Sequence, residues 1–234
     1  MTIEQSKEKL QKEGYTYFEL KEFDPEFYNW LLPVKFTKNS KFKERFTFLR
    51  ADVNDIKTGD SIIQLNKDFN SFENAEQKKN EIFSKLKLFG DDSTSYVNQI
   101  WYFTDLENFL QKSNLSKDIY KKYIEKIIKY FFDENQSEKY SLITTATFYD
   151  TGCFLTNHSD GKQMNRICAI LIYLNETYDE NNGGCLVLNN NEVVPPLFGN
   201  VVIIDLYNFD IEHMVTKLTG GDGRYTLLSF VNKM

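Results

Sequence analysis

The sequence predicts an α+β protein in which a jelly-roll-like β-structure forms the core and N-terminal helices pack on the outside of one sheet. Two observations carry this prediction. Helical and strand-like patterns are mixed up to about residue 140, whereas beyond it one short strand follows another. Clusters of Asn, Asp and Gly separate these strands, and short strands at regular spacing are typical of a β-sandwich or barrel.

The length of 234 residues suits a single domain. We expect residues 1–139 to form a mainly helical support region with a few strands, and residues 140–232 to form the β-core that carries the site. Hydrophobic residues make up 41% of the chain and aromatic residues 15%, which is enough to build a sizeable core and excludes a disordered chain.

Periodicity defines the elements of the N-terminal part. Apolar residues at helical spacing, opposite a lysine-rich face, make 116–132 the clearest helix, with Ser116 as its N-cap. Shorter patterns predict a helix over 3–13 that ends at Gly14, a strand over 15–23, a helix over about 71–89 and a strand over 96–103.

The C-terminal part contains strand patterns and no helical ones. The predicted strands are 140–149, 167–174, 185–188, 200–205 and 224–231. We therefore expect the functional residues of this part to lie on strands or on the turns that join them.

The charge and the cysteines limit the class of protein. A net charge of −6 disfavours nucleic acid or an anionic membrane as the main partner. The N-terminus is polar, and no apolar run reaches the length of a membrane span, so a cytoplasmic protein is expected. The three cysteines, Cys153, Cys168 and Cys185, lack metal-ligand spacing and are expected to be free, reduced thiols.

One of the chain's two histidines stands two residues before an aspartate. In an extended segment His158 and Asp160 point to the same side, and His213 follows a predicted strand. Two histidines and one carboxylate can fill one face of an octahedral ion, as in non-heme Fe(II) oxygenases. The same residues can also hold zinc and activate water. A metal-dependent hydrolase or isomerase on a cupin-like barrel therefore stays open as an alternative.

Arg224 opens the last predicted strand, and Thr226 lies on the same strand face. A guanidinium and a hydroxyl held on a rigid strand can grip a carboxylate. An oxygenase that uses 2-oxoglutarate needs such an anchor, because the keto acid chelates iron at one end and its distal carboxylate must be held at the other. A hydrolytic zinc site has no need of it.

From about residue 140 to 232 the chain resembles the Fe(II)- and 2-oxoglutarate-dependent dioxygenases, and most of all their prolyl-4-hydroxylase-like branch. The resemblance depends on six segments in order: "FYDTGCFLTNHSD", "RICAILIYLN", "NNGGCLVL", "PLFGNVVIID", "EHMV" and "GRYTLLSF". It implies a double-stranded β-helix core. It also implies Fe(II), 2-oxoglutarate as co-substrate, O2, and ascorbate as a candidate reductant.

Eight residues make up the candidate site; the resemblance assigns a role by position to six of them, while Thr226 is added because it shares a strand face with Arg224, and Arg166 because it precedes the strand over 167–174. The resemblance implies that iron is bound by His158, Asp160 and His213. Residues around the co-substrate would be Arg224, Tyr149, Tyr173 and Thr226. Arg166, at the pocket mouth, is the candidate for contact with the substrate.

The implied reaction is hydroxylation of an unactivated C–H bond in an amino-acid-type substrate, with release of succinate and CO2. That substrate is a prolyl or other peptidyl residue, or a free amino acid or small metabolite. Collagen-type prolyl hydroxylases usually carry lysine where this chain has Arg224, which disfavours a collagen-like substrate. The carboxylate of Asp160 favours hydroxylation over halogenation, because related halogenases have a small residue there. The loops 161–166 and 175–184 are candidate lids.

Overall fold

The computed structural model describes residues 1–37, 42–54, 61–87, 97–132, 140–160, 165–189 and 191–234. Its α-helices are α1 (Ile3–Glu13), α2 (Leu20–Phe23), α3 (Pro25–Leu31), α4 (Phe72–Lys87), α5 (Leu106–Gln111) and α6 (Lys117–Phe132). Its first strands are β1 (Tyr15–Glu19), β2 (Phe48–Asn54), β3 (Ser61–Asp68), β4 (Val97–Asp105), β5 (Tyr140–Tyr149) and β6 (Phe154–His158). The later strands are β7 (Arg166–Tyr173), β8 (Leu186–Leu188), β9 (Glu192–Val194), β10 (Asn200–Asp205), β11 (His213–Val215) and β12 (Arg224–Lys233).

All of these strands belong to one antiparallel sheet that curls into a nearly closed barrel. Ten follow the order β1-β10-β7-β12-β5-β4-β6-β11-β8-β9, while β2 pairs with both β3 and β4. The long strands β7, β12 and β5 form one wall, and the short strands β6, β11, β8 and β9 form the other. The predicted fold class, a double-stranded β-helix with helices, is confirmed.

Helix α6 is the predicted amphipathic helix. Its buried side chains are Tyr120, Ile124, Ile127, Ile128 and Phe131. Full burial of one such apolar side chain contributes about 1.5–3 kcal/mol. The Tyr120 hydroxyl shares a 2.9 Å hydrogen bond with the hydroxyl of Ser229, which joins the helix to one face of β12. The opposite face of β12 is therefore free to line the interior of the barrel.

The predicted end of the first helix is confirmed. Gly14 has φ +80°, and its N–H donates to the carbonyl of Leu10. A Cβ atom at Gly14 would lie 2.3 Å from the ring of Phe209. Both the left-handed backbone and the close approach of Phe209 favour glycine here.

The predicted strand over 15–23 is too long. It pairs with β10 only as far as Glu19, which lies opposite Asn200 at the start of that strand. Beyond this point no strand of the described ranges continues the pairing, and residues 20–23 form α2 instead. Asp24 then caps α3 by accepting a hydrogen bond from the N–H of Phe27.

Two other predicted elements differ slightly at their ends. The helix over 71–89 is observed as Phe72–Lys87, and the strand over 96–103 as Val97–Asp105. Residues 88, 89 and 96 lie outside the described residues, as do residues 161–164 of one candidate lid. The three cysteines are free, as predicted, and all three are buried. Among the described residues, no helix is long and apolar enough to cross a membrane.

Candidate active site

The two histidines face each other across a pair of short strands. His158 ends β6 and His213 begins β11, and the two residues are direct partners in the antiparallel ladder. Their ring centroids lie 4.3 Å apart. Asp160 follows β6 by two residues, so that its carboxylate turns back toward both rings. One Asp160 oxygen lies 3.8 Å from His158 Nε2, and the other lies 3.7 Å from His213 Nε2.

Backbone carbonyls fix the orientation of both rings. The Nδ1 of His158 lies 2.9 Å from the carbonyl oxygen of Thr156, and the Nδ1 of His213 lies 3.1 Å from that of Ile211. An Nδ1–H that donates to a carbonyl leaves Nε2 with a free lone pair. Both lone pairs then face Asp160, and the candidate ligand atoms of the three residues lie within 4.8 Å of one another.

This donor set fits a divalent iron ion. Imidazole nitrogens and a carboxylate on one side of an ion leave its other positions for reactants. Burial lowers the pKa of His213, which favours its neutral form, although the neighbouring Asp160 carboxylate acts in the opposite direction. A neutral imidazole is the form that binds a metal.

Arg224 is a buried cation at the start of β12. Only 2% of the residue is exposed. Its guanidinium carbon lies 4.9 Å from the ring centre of Tyr149 and 5.1 Å from that of Tyr173. One of its terminal nitrogens donates to the Tyr173 hydroxyl at 3.4 Å, while its Nε has no hydrogen-bond partner among the described residues.

The surroundings of Arg224 fit an anionic ligand. Within the described part of the chain, no carboxylate comes within 4 Å of this guanidinium. A buried charge without a counter-ion is costly, and a bound carboxylate would remove that cost. Burial raises the pKa of Tyr149 and of Tyr173, although the nearby Arg224 lowers both, so both phenols keep their protons near neutral pH.

A row of side chains continues from Arg224 across the sheet. Arg224 lies opposite Tyr149 in the β12–β5 ladder. The Tyr149 ring lies parallel to that of Trp101 on β4, with the centroids 6.1 Å apart. Arg50 on β2 is the ladder partner of Trp101, and its guanidinium lies 5.9 Å from the centre of that ring.

Thr226 lies one pleat further along β12, on the same face as Arg224. It is 1% exposed, and its hydroxyl shares a hydrogen bond with that of Thr147, its ladder partner on β5. Thr226 also pairs with Tyr173 on β7. The three strands therefore place the predicted co-substrate residues side by side.

One cavity of about 730 Å³ joins the metal cluster to Arg224. Alternate residues of β12 line it, from Arg224 to Phe230, a span of about 20 Å at strand spacing. The predicted site residues on its lining are His158, Asp160, His213, Arg224, Tyr149, Thr226 and Arg166. Tyr173 is not on the lining and contacts the cavity through Arg224.

Arg166 begins β7 and lies at the far end of this cavity from Arg224. Its guanidinium lies 4.1 Å from the ring centre of Phe230. Since Arg166 pairs with Asn232 while Arg224 starts β12, the two arginines are separated by most of the length of that strand.

The second candidate lid, residues 175–184, is fastened to the loop before β12. The Gly184 N–H donates to the carbonyl of Thr216, and the Thr219 N–H donates to that of Asn182. The Asn175 side chain donates to the carbonyl of Gly223 and accepts from the N–H of Tyr225. This segment therefore supports the start of β12, where Arg224 lies.

Sequence reasoning missed three residues of the site: Arg50, Asp52 and Trp101 line the same cavity. They come from β2 and β4, in the part of the chain expected to be mainly a helical support. The available signal was the scarcity of arginine, since Arg50 is one of only four in the chain.

The fold and this cavity define a class: a double-stranded β-helix in which a two-histidine, one-carboxylate cluster and a buried arginine share one interior space. Residues 144–232 match the family model of the 2OG-Fe(II) oxygenase superfamily. This segment, less than half of the chain, is similar to that superfamily, whose members use Fe(II), 2-oxoglutarate and O2. The match supports the predicted family and cofactors, and the His158, Asp160 and His213 cluster agrees with it; ascorbate stays a prediction.

Solved structures show the same fold across nearly the whole chain. A prolyl-4-hydroxylase from Pseudomonas putida is 12% identical with a TM-score of 0.55, covering 99% of this chain and 98% of its own. A prolyl hydroxylase from Trichoplax adhaerens, in complex with a hypoxia-inducible-factor peptide, is 14% identical with a TM-score of 0.56. The match covers 97% of this chain and 87% of that one. EvdO2 from Micromonospora carbonacea var. aurantiaca, complexed with 2-oxoglutarate, is 12% identical with a TM-score of 0.54. The match covers 99% of this chain and 91% of that one. A comparison with curated protein sequences found no match.

Proposed function

We propose that this enzyme hydroxylates an unactivated C–H bond of an amino-acid-type substrate and converts 2-oxoglutarate to succinate and CO2. The substrate is a prolyl or other peptidyl residue, or a free amino acid or small metabolite. One observation supports the proposal above all: the His158, Asp160 and His213 cluster opens into the same cavity as the buried guanidinium of Arg224, which has no carboxylate within 4 Å among the described residues. A hydrolytic zinc site would not account for that guanidinium.

His158, Asp160 and His213 are the proposed ligands of Fe(II). When bound, iron together with 2-oxoglutarate supplies the oxidation of the substrate C–H bond by O2. The chain keeps the ligand atoms in place, because the carbonyls of Thr156 and Ile211 hold the two imidazole rings. Fixed rings reduce the reorganisation that metal binding requires.

Arg224 is the proposed partner of the distal carboxylate of 2-oxoglutarate. The Tyr173 hydroxyl accepts a hydrogen bond from one terminal nitrogen, which orients the guanidinium. Tyr149 packs against the same group through its ring. Thr226 lies beside Arg224 on the cavity wall and adds a hydroxyl. A charge-assisted contact in this buried place is stronger than one in water.

Arg166 is the proposed contact for substrate at the other end of the cavity. The stretch between Arg166 and the metal cluster is lined by apolar side chains, among them Leu155, Leu171 and Leu228. Such a lining excludes water from the reacting groups and restricts how a substrate can lie.

The test is substrate-dependent turnover. Metal-free protein is supplied with Fe(II), 2-oxoglutarate, air and a panel of amino acids and prolyl peptides. We expect one substrate to stimulate succinate release and to gain one oxygen atom by mass spectrometry. His213→Ala and Asp160→Asn should lose both signals. Asp210→Asn is the matched control, since Asp210 is an exposed acid three residues before His213.

Substrate-dependent succinate release that survives in His213→Ala would contradict the proposal. The absence of a nucleic-acid partner, predicted from the net charge, has a separate test. Retention on heparin that salt abolishes would contradict that prediction.

A further inference from the structure

The turn over residues 150–153 joins the two ends of the proposed reaction centre. It follows Tyr149, whose ring packs against Arg224, and it leads into β6, the strand that ends at His158. None of the four turn residues belongs to the proposed site, so the proposed function assigns them no role. A shift of this turn would nevertheless move one end of the reaction centre relative to the other.

On one side, the turn is bonded to the segment that precedes β12. The N–H of Gly152 donates to the carbonyl of Leu218 at 2.8 Å, and the N–H of Leu218 donates to the carbonyl of Cys153 at 3.0 Å. Asp150 closes the turn itself. Its carbonyl accepts from the N–H of Cys153, and its carboxylate accepts from the N–H of Thr151, both at 2.8 Å.

On the other side, helix α4 holds the turn through a buried lysine. Lys79 is 4% exposed, and of the lysines in the described ranges it is the one that is buried. Its ammonium group donates to the carbonyl of Thr151 at 3.2 Å and lies 3.7 Å from a carboxylate oxygen of Asp150. One helical turn further on, Phe83 packs on the same segment, because a Cβ atom at Gly152 would lie 3.1 Å from its ring.

The two cations beside Asp150 differ in their surroundings. Lys43 lies 3.5 Å from the second carboxylate oxygen, but 40% of its side chain is exposed to solvent. The ammonium group of Lys79 is buried and lies 5.6 Å from the centre of the Tyr102 ring. Because water screens an exposed ion pair, the contact with Lys43 contributes little. Lys79 is therefore the cation that fixes the turn.

A lysine is a costly choice for this position. Burial of an ammonium group removes its hydration, and a buried ion pair often contributes no more stability than an apolar side chain of similar size. What the ammonium group adds is direction, since it has several donors and can hold a carbonyl and a carboxylate of the same turn at once. Its location therefore indicates a role in placing the turn.

We propose that Lys79 is a positioning residue that fixes the separation between the metal cluster and Arg224, and thereby selects the length of the keto acid that bridges them. This inference rests on the proposed function. A ligand that is held at both ends fits only when the separation of the two ends matches its length. Lys79 is not on the lining of the cavity, so it acts through the turn and not by contact with a ligand.

The test compares two keto acids by equilibrium binding under nitrogen. Iron-loaded protein is titrated by calorimetry with 2-oxoglutarate and with 2-oxoadipate, which is one methylene longer. The native chain should prefer 2-oxoglutarate by about 10- to 200-fold, the usual range for one methylene. Lys79→Met should lower this ratio at least about fivefold. The affinity for Fe(II) should change little, because β6 and β11 are paired and carry all three metal-ligand candidates as one unit.

Two further variants and one control separate positioning from stability. Asp150→Asn keeps the shape of the side chain but removes the charge that Lys79 faces, and it should lower the ratio at least about twofold. It also carries the test if Lys79→Met does not fold. Lys79→Arg keeps a cation, and its ratio should lie between those of the native chain and Lys79→Met. The control is Lys78→Met, because Lys78 is the preceding residue of α4 and pairs with Glu81 at the surface. It should keep the native ratio.

Failure of this inference differs from failure of the proposed function. The free energy of unfolding of each variant is measured in urea alongside the titrations. A Lys79→Met chain that is less stable but keeps the native ratio overturns the inference, because the lysine then only stabilises the fold. A native chain that binds both keto acids equally well, or an equal loss of preference in Lys78→Met, overturns it as well. If the native chain forms no complex with Fe(II) and 2-oxoglutarate, the proposed function itself fails.

Discussion

The two ends of the proposed reaction centre are built differently. The metal cluster lies on β6 and β11, strands of five and three residues, and about a third of the His158 side chain is exposed. Arg224 lies on β12, a strand of ten residues with long neighbours on both sides, and is almost completely buried. The metal cluster is therefore the more adjustable end, and the anion anchor is the more rigid one.

The two ends also differ in the free-energy cost of ordering their side chains when a ligand binds. A guanidinium locked among aromatic rings loses little freedom on binding a carboxylate, so geometry selects the ligand. Residues on short strands have fewer ladder contacts to hold them, so a bound metal ion adds to the cohesion of that end. Substitutions at the metal end should therefore abolish metal binding. Substitutions at Arg224 should instead weaken the binding of 2-oxoglutarate to different degrees.

The largest effect is expected at the metal end. His213→Ala or Asp160→Ala removes one of three ligands, and the affinity for Fe(II) should fall at least about 100-fold. Competition with a chelator of known affinity measures this loss. Asp210→Asn serves again as the matched control and should retain full affinity. Unchanged iron affinity in both ligand variants would mean that the metal lies elsewhere.

The second effect concerns the anchor. Arg224→Gln removes a buried, charge-assisted contact, and the affinity for 2-oxoglutarate should fall about 10- to 100-fold with little change in iron affinity. Arg224→Lys keeps the positive charge but loses the planar guanidinium. Its affinity for 2-oxoglutarate should therefore lie between that of the native chain and that of Arg224→Gln. Titration of the iron-loaded protein under nitrogen gives both values. An Arg224→Gln variant that binds 2-oxoglutarate as well as the native chain would refute the anchor.

The smallest effect separates two tyrosines that contact the same guanidinium. Tyr173→Phe removes the hydroxyl that accepts from Arg224, and should weaken 2-oxoglutarate about fivefold. Tyr149→Phe keeps the ring that packs against Arg224, so it should change the affinity less. The same titration compares them. The opposite order would mean that the Tyr149 hydroxyl touches the ligand.

The sequence alone was sufficient to predict the features whose residues lie within one strand or one helix. His158 and Asp160 are two residues apart in an extended segment, and the alternation from Arg224 to Phe230 places one set of side chains on one face of a strand. Likewise, the spacing of Ile124, Ile127 and Ile128 sufficed to predict α6. Such features depend only on the geometry of a single element.

Features that depend on pairing between distant segments were not predictable in this way. Strand β11 has three residues, too few for a periodic pattern, and it is defined by its ladders with β6 and β8. Arg50 and Asp52 reach the cavity only because β2 pairs with β4, which in turn pairs with β5 and β6. Nothing in the local sequence around Arg50 specifies that register.

The metal cluster and Arg224 are proposed to bind one co-substrate between them, and an anaerobic absorption spectrum shows whether they do. Fe(II) and then 2-oxoglutarate are added to metal-free protein. We expect a weak visible charge-transfer band that requires both additions, is absent in His158→Ala, and needs a higher 2-oxoglutarate concentration in Arg224→Gln. Folded protein that binds iron but gives no band at saturating 2-oxoglutarate would contradict it.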